Sequence, residues 1–539
     1  MVHQIAFPNN QLFMKKLLPF LLLACCFFSQ QELTAQERYQ DEIFSEVTVT
    51  SDVVYGTNIS ILPALTGGDP GPEEMRMDVY EPAGDDLTER PVVIITHRGD
   101  FLPAVVNQQP YGFKGDFAVV ELCRSLARRG FVAVGMNHRI GWNPFGSSLE
   151  KKSTILQASY RAAQDLRTCV RYFRKTAAED GNPHRVDPAS IAVGGYDSAG
   201  FAAFSAANLK TSAQTLLPKF LDLSTMPATP FADSTIYGDP FGIVATPLNL
   251  PNHVEYSSDI SAVISMQGGL GEFDWIEAGD PPVIGFQFIN SFNAPGIRDV
   301  TEGTTSEILI PDGAFLDTIV HRNIELGNQD VFINANLNDP ITQIAMERSG
   351  GMEGIFIYNP ARIEGSVQCD DTPGVAANTW GGNTYPWNAY DPASFTAVWN
   401  FVTDQTVPAD LFMCQYNTGE GNPNDVAMAL TYIDTMSRYI APRLVLAMGL
   451  GETTSVDNTL KPSLEFEAFP NPASTTIQLQ AKAEIQAVQL FDVSGKMVLQ
   501  NNSINHTHYQ LPVQQLAEGI YFAKIRFEQG VISEKLIIE

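Results

Sequence analysis

The sequence predicts an α/β domain built on a doubly wound, mostly parallel sheet, followed by a small C-terminal antiparallel β-sandwich. Between residues 90 and 270, short apolar runs alternate with amphipathic helical patterns, which is the arrangement of strand-helix-strand units. One run, at 191–194, leads through small residues directly into a helical pattern. After residue 463, apolar and polar residues alternate between Gly, Pro, Asn and Asp turns, as in a sandwich of short strands.

Length and charge limit the classes of protein. The chain has 539 residues, 44% of them hydrophobic, and is therefore long enough to bury a large core. Its net charge of −28 argues against nucleic acid and anionic membrane surfaces as partners. We divide the chain into a signal peptide, an α/β domain, a polar linker and a C-terminal module, at 1–36, 37–448, 449–463 and 464–539.

The N-terminus has the pattern of an export signal. A basic start at 14–16 precedes an apolar run at 17–28, and Ala35 supplies a small residue before a cleavage point at Gln36. Met14 is an alternative start of the chain. We therefore predict that the protein leaves the cytoplasm.

The cysteines agree with export. Those that remain after the signal peptide fit an oxidising compartment with one or two disulfides: Cys123, Cys169, Cys369 and Cys414. Their spacings match no zinc motif, and we predict neither a metal site nor a cofactor.

The elements of the α/β domain follow in a regular order. The apolar runs predict strands at 90–96, 131–136, 191–194 and 261–266. A helix is predicted at 117–129, ended by Gly130, and a second helix has its apolar face around 162–173. We expect the arginines of the second helix to lie on a solvated face: Arg161, Arg167, Arg171 and Arg174. In such a sheet the active site lies at the carboxyl ends of the strands.

The turn from strand to helix at 195–200, called the elbow below, holds two candidate nucleophiles. A nucleophile at such a strained turn needs small residues two before it, two after it and three after it. With Ser198 as nucleophile, two of these positions carry Tyr196 and Phe201. With Asp197 as nucleophile, all three positions are small: Gly195, Ala199 and Gly200. Both registers remain open.

The neighbouring sequence resembles the α/β hydrolases. The Ser198 register resembles the GDSAGG sequence of serine esterases, and the Asp197 register resembles the aspartate-nucleophile branch of that fold. The turn at 97–101 resembles the HGGG loop of carboxylesterases, with only His97 and Gly99 matching. The resemblance implies an oxyanion hole formed by backbone N–H groups near Gly99 and Ala199, and an ester of a small molecule or a glycan as substrate.

The acid and the histidine of this family are not found where its pattern places them. The segment 279–295 resembles the strand that normally carries the acid, but Gln287 and Ser291 replace its histidine and aspartate. Asp274 is an alternative acid or a helix cap. We consider two last strands, 354–358 or 411–416, and neither is followed by a histidine before the C-terminal module.

Other histidines are poor substitutes for the missing base. His253 lies in a loop, His321 in a predicted helix at 316–326, and His506 and His508 in the C-terminal module. His97 is the best substitute because its loop is predicted to lie near the elbow. The sequence therefore leaves two function classes open: a secreted ester hydrolase using Ser198 or Asp197, or a degenerate hydrolase fold kept as a binding or structural protein.

Two further segments carry predictions. The aromatic segment 380–387 is interpreted either as a carbohydrate-binding surface or as a packed loop. The C-terminal module opens with a Pro-Asn-Pro turn at 470–472 and closes with the apolar run 535–539. Over about 75 residues it resembles the C-terminal sorting domain of the type IX secretion system of Bacteroidetes. The resemblance implies the secretion machinery as a partner, and a secreted or cell-surface location.

Overall fold

The computed structural model describes residues 38–65, 67–107, 109–289, 296–301, 306–359, 363–382, 385–402, 407–450, 464–492, 497–501, 504–527 and 530–539. The chain divides into two compact units, between Met448 and Gly449. The predicted signal peptide and most of the predicted linker lie outside the described residues, as does Ser291. No helix in the described part is long and apolar enough to cross a membrane.

The first unit is built around an eight-stranded sheet. Its strands are β1 (Val47–Ser60), β2 (Gly71–Pro82), β3 (Arg90–Thr96), β4 (Val132–Met136), β5 (Val186–Tyr196), β6 (Val263–Met266), β7 (Val283–Phe288) and β8 (Ile355–Tyr358). Their order across the sheet is β1-β2-β4-β3-β5-β6-β7-β8. β2 pairs antiparallel with β1 and β4, whereas all pairs from β4 to β8 are parallel. This is the strand order of the α/β-hydrolase fold, and it confirms the predicted fold class.

The strand order fixes where the site lies. β4 pairs with one edge of β3, and the next strand in the chain, β5, pairs with the other edge of β3. The carboxyl ends of β3 and β5 therefore border a crevice at a topological switch point. β3 and β4 are buried along their whole length, because helices cover both faces of the sheet. The loop after β3 and the elbow after β5 are neighbours for this reason.

In the described ranges, eight longer helices accompany the sheet. They are α1 (Phe117–Arg128), α2 (Ser148–Glu179), α3 (Ser198–Asn208), α4 (Leu316–Glu325), α5 (Pro340–Ser349), α6 (Pro392–Val402), α7 (Ala409–Glu420) and α8 (Val426–Ala447). Short α-helical turns occur at Leu62–Leu65, Ala104–Asn107, Ser234–Tyr237 and Asp330–Ile333, and 3₁₀ turns at Ser212–Leu216, Pro218–Phe220 and Phe273–Trp275. Short strands, paired outside the main sheet, are Leu221–Asp222, Thr229–Pro230, Gly269–Leu270, Ile297–Thr301, Ile308–Phe315, Ser366–Val367 and Asn378–Thr379.

The arginine face of α2 is buried, so the prediction of a solvated face was wrong. Arg161, Arg167 and Arg171 have relative exposures of 0%, 2% and 1%. Each donates to backbone carbonyls, and Arg167 alone reaches the carbonyl oxygens of Ala206, Leu209 and Pro240. The physical reason is that the chain between β5 and β6 covers Arg167 and Arg171, and the loop between β4 and α2 covers Arg161. The carbonyl groups of these segments find their donors in the guanidinium groups.

Two other sequence alternatives are resolved by the fold. β8 confirms the predicted last strand at 354–358, whereas 411–416 lies inside α7, which ends at Gly421 in the left-handed region with φ 65°. A short apolar run alone does not distinguish a strand from a helix segment. In the segment 380–387, Tyr385 and Trp387 are 6% and 0% exposed, which agrees with a packed loop rather than a sugar-binding surface.

Two of the four described cysteines form a disulfide. Cys369 is bonded to Cys414 of α7, and Cys123 and Cys169 are buried free thiols.

The second unit is an antiparallel β-sandwich, as predicted. Its strands are β9 (Glu467–Phe469), β10 (Thr476–Ile485), β11 (Ala487–Asp492), β12 (Met497–Asn501), β13 (His506–Pro512), β14 (Gly519–Phe527) and β15 (Gly530–Ile538). They form a three-stranded sheet, β9-β10-β13, and a four-stranded sheet, β12-β11-β14-β15. Alternating residues of both sheets, including Ile477, Leu490 and Ile525, are fully buried in one hydrophobic core.

Candidate active site

The elbow places Asp197, not Ser198, at the strained bend. Asp197 has φ 52° and ψ −115°, which is unusual for a residue with a side chain and costs about 1–3 kcal/mol. Its N–H donates to the carbonyl oxygen of Met266 on β6 at 2.7 Å, and its own carbonyl oxygen accepts from the N–H of Gly200 at 2.9 Å. Ser198 is then the first residue of α3.

The small residues around the bend fit the same register. A Cβ atom on Gly195 would lie 2.3 Å from the carbonyl oxygen of Ala199, and one on Gly200 would lie 2.6 Å from the Cα of Gly268. Both positions therefore require glycine. Tyr196 avoids the crowding because its side chain points away and donates its hydroxyl to the carbonyl oxygen of Ala118. The geometry at the elbow therefore follows the Asp197 register.

The loop after β3 lies against Ser198. The N–H of Asp100 donates to Ser198 Oγ at 3.0 Å. Asp100 itself has φ 53°, and the indole of Trp142 holds its carbonyl oxygen at 2.7 Å. Gly99 has φ 119°, and a Cβ atom there would meet the Cα of Gly112 at 2.8 Å. These contacts restrain the conformation of the loop, and the hydroxyl group of Ser198 provides one of them.

Arg98 fills the space beside the elbow aspartate. Its Nη2 lies 3.4 Å from Asp197 Oδ2, and the residue is only 5% exposed. The guanidinium carbon lies 3.9 Å from the ring centre of Tyr385 and 5.2 Å from that of Tyr111. This packing is a cation-π arrangement on two faces. In the resemblance to the HGGG loop, Arg98 stands at the position of a glycine.

Burial and neighbouring charges determine the protonation of the carboxyl groups here. Burial raises the pKa of Asp197 to about 6, while Arg98 opposes this rise and the Asp100 carboxylate adds to it. Asp197 is therefore mostly ionised at neutral pH and forms an ion pair with Arg98. Burial likewise raises the pKa of Asp116, at the start of α1, to about 7, against the stabilising N–H groups of Gly112 and Phe113.

His97 has its hydrogen bond within its own loop. Its Nδ1 donates to the carbonyl oxygen of Arg98 at 2.6 Å, and its ring stacks on His138 at 4.4 Å. Burial lowers the pKa of His97 to about 4 and that of His138 well below its usual value. His97 is therefore neutral at physiological pH.

The remaining sequence candidates lie on other elements than the elbow and have other contacts. His253 Nε2 is 3.0 Å from the carbonyl oxygen of Tyr55, and the exposed His321 is 3.5 Å from Glu325. His506 and His508 lie on β13 of the sandwich. Asp274 is exposed in a 3₁₀ turn, where its N–H donates to Glu272. Gln287 is buried within β7. In the described ranges no group of three His, Cys, Asp or Glu side chains is arranged to hold a metal ion.

The position of Asp197 at the bend changes which residue would supply an N–H group to an oxyanion hole. In this fold the residue after the nucleophile supplies one N–H group. With Asp197 at the bend that residue is Ser198, whereas Ala199 is the second residue of α3. The carbonyl oxygen of Gly99 accepts from Leu102 at 2.9 Å, and the neighbouring N–H, that of Asp100, is used by Ser198.

The contacts of Arg98 with Asp197 and with two tyrosine rings were not predicted from the sequence. One signal was available, because a buried loop arginine requires a nearby carboxylate, and the elbow offered Asp197. Tyr385 comes from a distant part of the chain. No local pattern indicated that it reaches the elbow.

Comparisons with known proteins concern the two units separately. Residues 467–539 match the family "Secretion system C-terminal sorting domain". No curated protein has a significantly similar sequence.

Solved structures similar to this chain include three with esterase descriptions. Esterase 2 of Thermogutta terrifontis, phosphorylated by paraoxon, is 18% identical with a TM-score of 0.25, over 48% of this chain and 76% of its own. A truncated carbohydrate esterase from gut microbiota is 12% identical with a TM-score of 0.28, over 60% and 90%. A bifunctional GH43-CE protein of Bacteroides eggerthii is 14% identical with a TM-score of 0.29, over 53% and 31%.

The fold and the sorting domain together describe the protein at a coarse level. Strand order alone defines the α/β-hydrolase fold of the first unit. The matched family defines residues 467–539 as a sorting domain, which interacts with the secretion machinery. The chain is an α/β-hydrolase-fold protein that carries a type IX sorting domain and is secreted or displayed on the cell surface.

Proposed function

We propose that this protein is a catalytically degenerate hydrolase that serves outside the cell as a binding or structural protein. The observation that carries the proposal is the ion pair between Asp197 and Arg98 at the elbow. A carboxylate held by a buried guanidinium is a poor nucleophile, because its negative charge is already stabilised in the ground state.

The surroundings of the pair support the proposal. Tyr111 and Tyr385 enclose the guanidinium group, so the position beside the bend is already filled by side chains. Ser198 lies at the first turn of α3, where its Oγ accepts from the loop. Attack by serine requires a general base within about 2.6–3.2 Å. The histidine of that loop, His97, is a weak base, because burial lowers its pKa to about 4.

The test is an assay of the purified full-length protein with nitrophenyl acetate and butyrate, together with a serine-directed fluorophosphonate probe. We expect the wild-type protein to hydrolyse both esters no faster than the Ser198→Ala/Asp197→Asn double variant. We also expect the probe to leave no covalent label on it. This double variant is the matched control, because it removes both candidate nucleophiles and leaves all the histidines unchanged. Hydrolysis or labelling that Ser198→Ala abolishes would overturn the proposal and establish an esterase.

One observation favours a second candidate, an enzyme that uses Asp197 as its nucleophile. The side chain is ionised at neutral pH and stands on a strained bend, and such strain is concentrated at functional sites. The Asp197 carboxylate would displace a halide from an alkyl halide, forming a carbon-oxygen bond while the halide leaves with its electron pair.

Mass spectrometry distinguishes the two candidates. After incubation with 1-bromobutane, the degenerate protein gives no adduct on the peptide containing Asp197. A butyl ester that forms there, and is absent from Asp197→Asn, would favour the second candidate over the first.

A further inference from the structure

A cavity of about 570 Å³ lies beside the start of α1. This volume falls in the range of small-molecule sites, about 300–1,000 Å³. Two stretches of chain, 109–120 and 389–395, form most of its wall, and Ala104, together with Val426 of α8, completes it. Neither Asp197, Ser198 nor Arg98 belongs to the lining. The cavity is therefore a separate place from the elbow.

Aromatic rings supply much of the wall. Phe113, Phe117, Tyr390 and Phe395 all line the cavity. Phe113 is 51% exposed, while Phe395 is buried and lies 5.9 Å from the ring of Tyr390. Rings fixed in this way offer apolar surface and negative π faces to a ligand.

The charged and amide groups of the wall offer acceptors to a ligand. Asp116 is buried, and its carboxylate accepts the N–H of Gly112 at 2.9 Å. Asp391 accepts from the hydroxyl of Ser394, and Gln109 contributes an amide group to the wall. Among the residues that the structure describes, neither lysine nor arginine contributes to the lining. An anionic ligand would therefore be repelled, and a ligand rich in N–H donors would be favoured.

We propose that this cavity binds an arylalkylammonium ion, with its primary ammonium group donating to Asp116 and its apolar body among the aromatic rings. An ammonium group has three donors and no acceptor, which matches a wall of acceptors. The rings add cation-π attraction, and the net charge of −28 favours the approach of cations. A sugar matches less well, because its hydroxyl groups would also need donors.

This proposal names a ligand class for a binding protein, but it does not require the elbow to be inactive. Esterase activity would refute the proposed function and leave the cavity proposal standing. Absence of ligand binding would refute the cavity proposal and leave the proposed function standing.

The test uses isothermal titration calorimetry of the full-length protein at pH 8, where most Asp116 carboxyl groups are ionised, with three probes of similar shape. These are 2-phenylethylammonium, the neutral 2-phenylethanol and the anionic 3-phenylpropanoate. We expect the ammonium ion to bind about tenfold more tightly than the alcohol, as for a hydrogen bond to a charged group, and the anion to show no binding. Equal binding of the ammonium ion and the alcohol, or binding of the anion, would overturn the proposal.

Variants locate the site. Asp116→Asn keeps an oxygen for the N–H of Gly112 but removes the charge, and we expect it to weaken ammonium binding by about fivefold or more and alcohol binding by less. Phe113→Ala removes an exposed ring of the wall and should weaken the binding of both ligands. The control Asp69→Asn removes one negative charge at an exposed residue outside the cavity and should bind like the wild type. Unchanged ammonium binding in Phe113→Ala and in folded Asp116→Asn would refute the assignment.

Discussion

The ion pair between Arg98 and Asp197 holds two charged side chains together at the strained elbow. Two buried charges at 3.4 Å stabilise each other, and each would be costly alone. The aromatic faces of Tyr111 and Tyr385 replace water around the guanidinium group. The pair is thus a structural feature that depends on both partners.

A double-mutant cycle tests this dependence. Arg98→Met leaves the Asp197 carboxylate buried without its cation, and we expect it to lower the free energy of unfolding by about 3–5 kcal/mol. Adding Asp197→Asn should recover part of this loss. All five tryptophans, from Trp142 to Trp399, lie in the α/β unit, so denaturant unfolding followed by tryptophan fluorescence reports on that unit. Strictly additive effects of the two substitutions would show that the pair does not interact.

Asp116 gives a pH-dependent prediction. Its folded pKa of about 7 lies above the value of about 3.9 for an unfolded aspartate. Protonation therefore favours the folded state, and this contribution is full below about pH 4 and is lost as the pH rises through 7. Asp116→Asn mimics the protonated form. We expect the stability of this variant, measured relative to wild type by urea unfolding at pH 4 to 8, to increase with pH. A constant difference across that range would contradict the raised pKa.

At the level of secondary structure, arginines of α2 donate hydrogen bonds to backbone carbonyl groups of the chain between β5 and β6. Arg167 satisfies three carbonyl groups with one buried side chain, at Ala206, Leu209 and Pro240. A buried carbonyl group without a donor costs about 1–3 kcal/mol. The chain between β5 and β6 therefore depends on α2 for its backbone hydrogen bonds.

Substitution of Arg167 by Met should expose this dependence. The apolar stem is replaced but the donors are lost, so we expect the free energy of unfolding to fall by about 3 kcal/mol or more. Arg124→Ala is the matched control, because Arg124 is exposed on α1 and only 3.7 Å from Glu121, a surface pair worth about 0–1 kcal/mol. Similar losses in the two variants, measured by tryptophan fluorescence in urea, would contradict the assigned role.

The sequence predicted these elements better than it predicted their surroundings. Periodicity and apolar runs located α1, β3, β4 and β8, because local chain geometry determines those patterns. The same patterns did not show that the polar side of α2 is covered, since the covering chain is irregular and leaves no periodic signal. The elbow register followed from glycine sterics, whereas the contact of Tyr385 with Arg98 depends on residues far apart in the sequence.

For the molecule as a whole, location follows from the sorting domain rather than from the hydrolase fold. The sandwich has its own hydrophobic core, and residues 467–539 match the sorting family. The α/β unit forms its site from its own residues, at the carboxyl ends of β3 and β5. Export and the elbow should therefore be separable by mutation.

Deletion of residues 469–539 tests this separation in the cell. The predicted N-terminal signal still directs the shortened chain across the inner membrane, but the strands that follow β9 are lost and the sandwich core cannot form. We expect the shortened protein to accumulate in the periplasm, as detected by immunoblotting of periplasmic, outer-membrane and medium fractions. The full-length Asp197→Asn variant is the control, and it should reach the surface or medium like the wild type. Normal surface appearance of the shortened chain would refute the role of the sorting domain, whereas retention of the control would show that export also depends on the elbow.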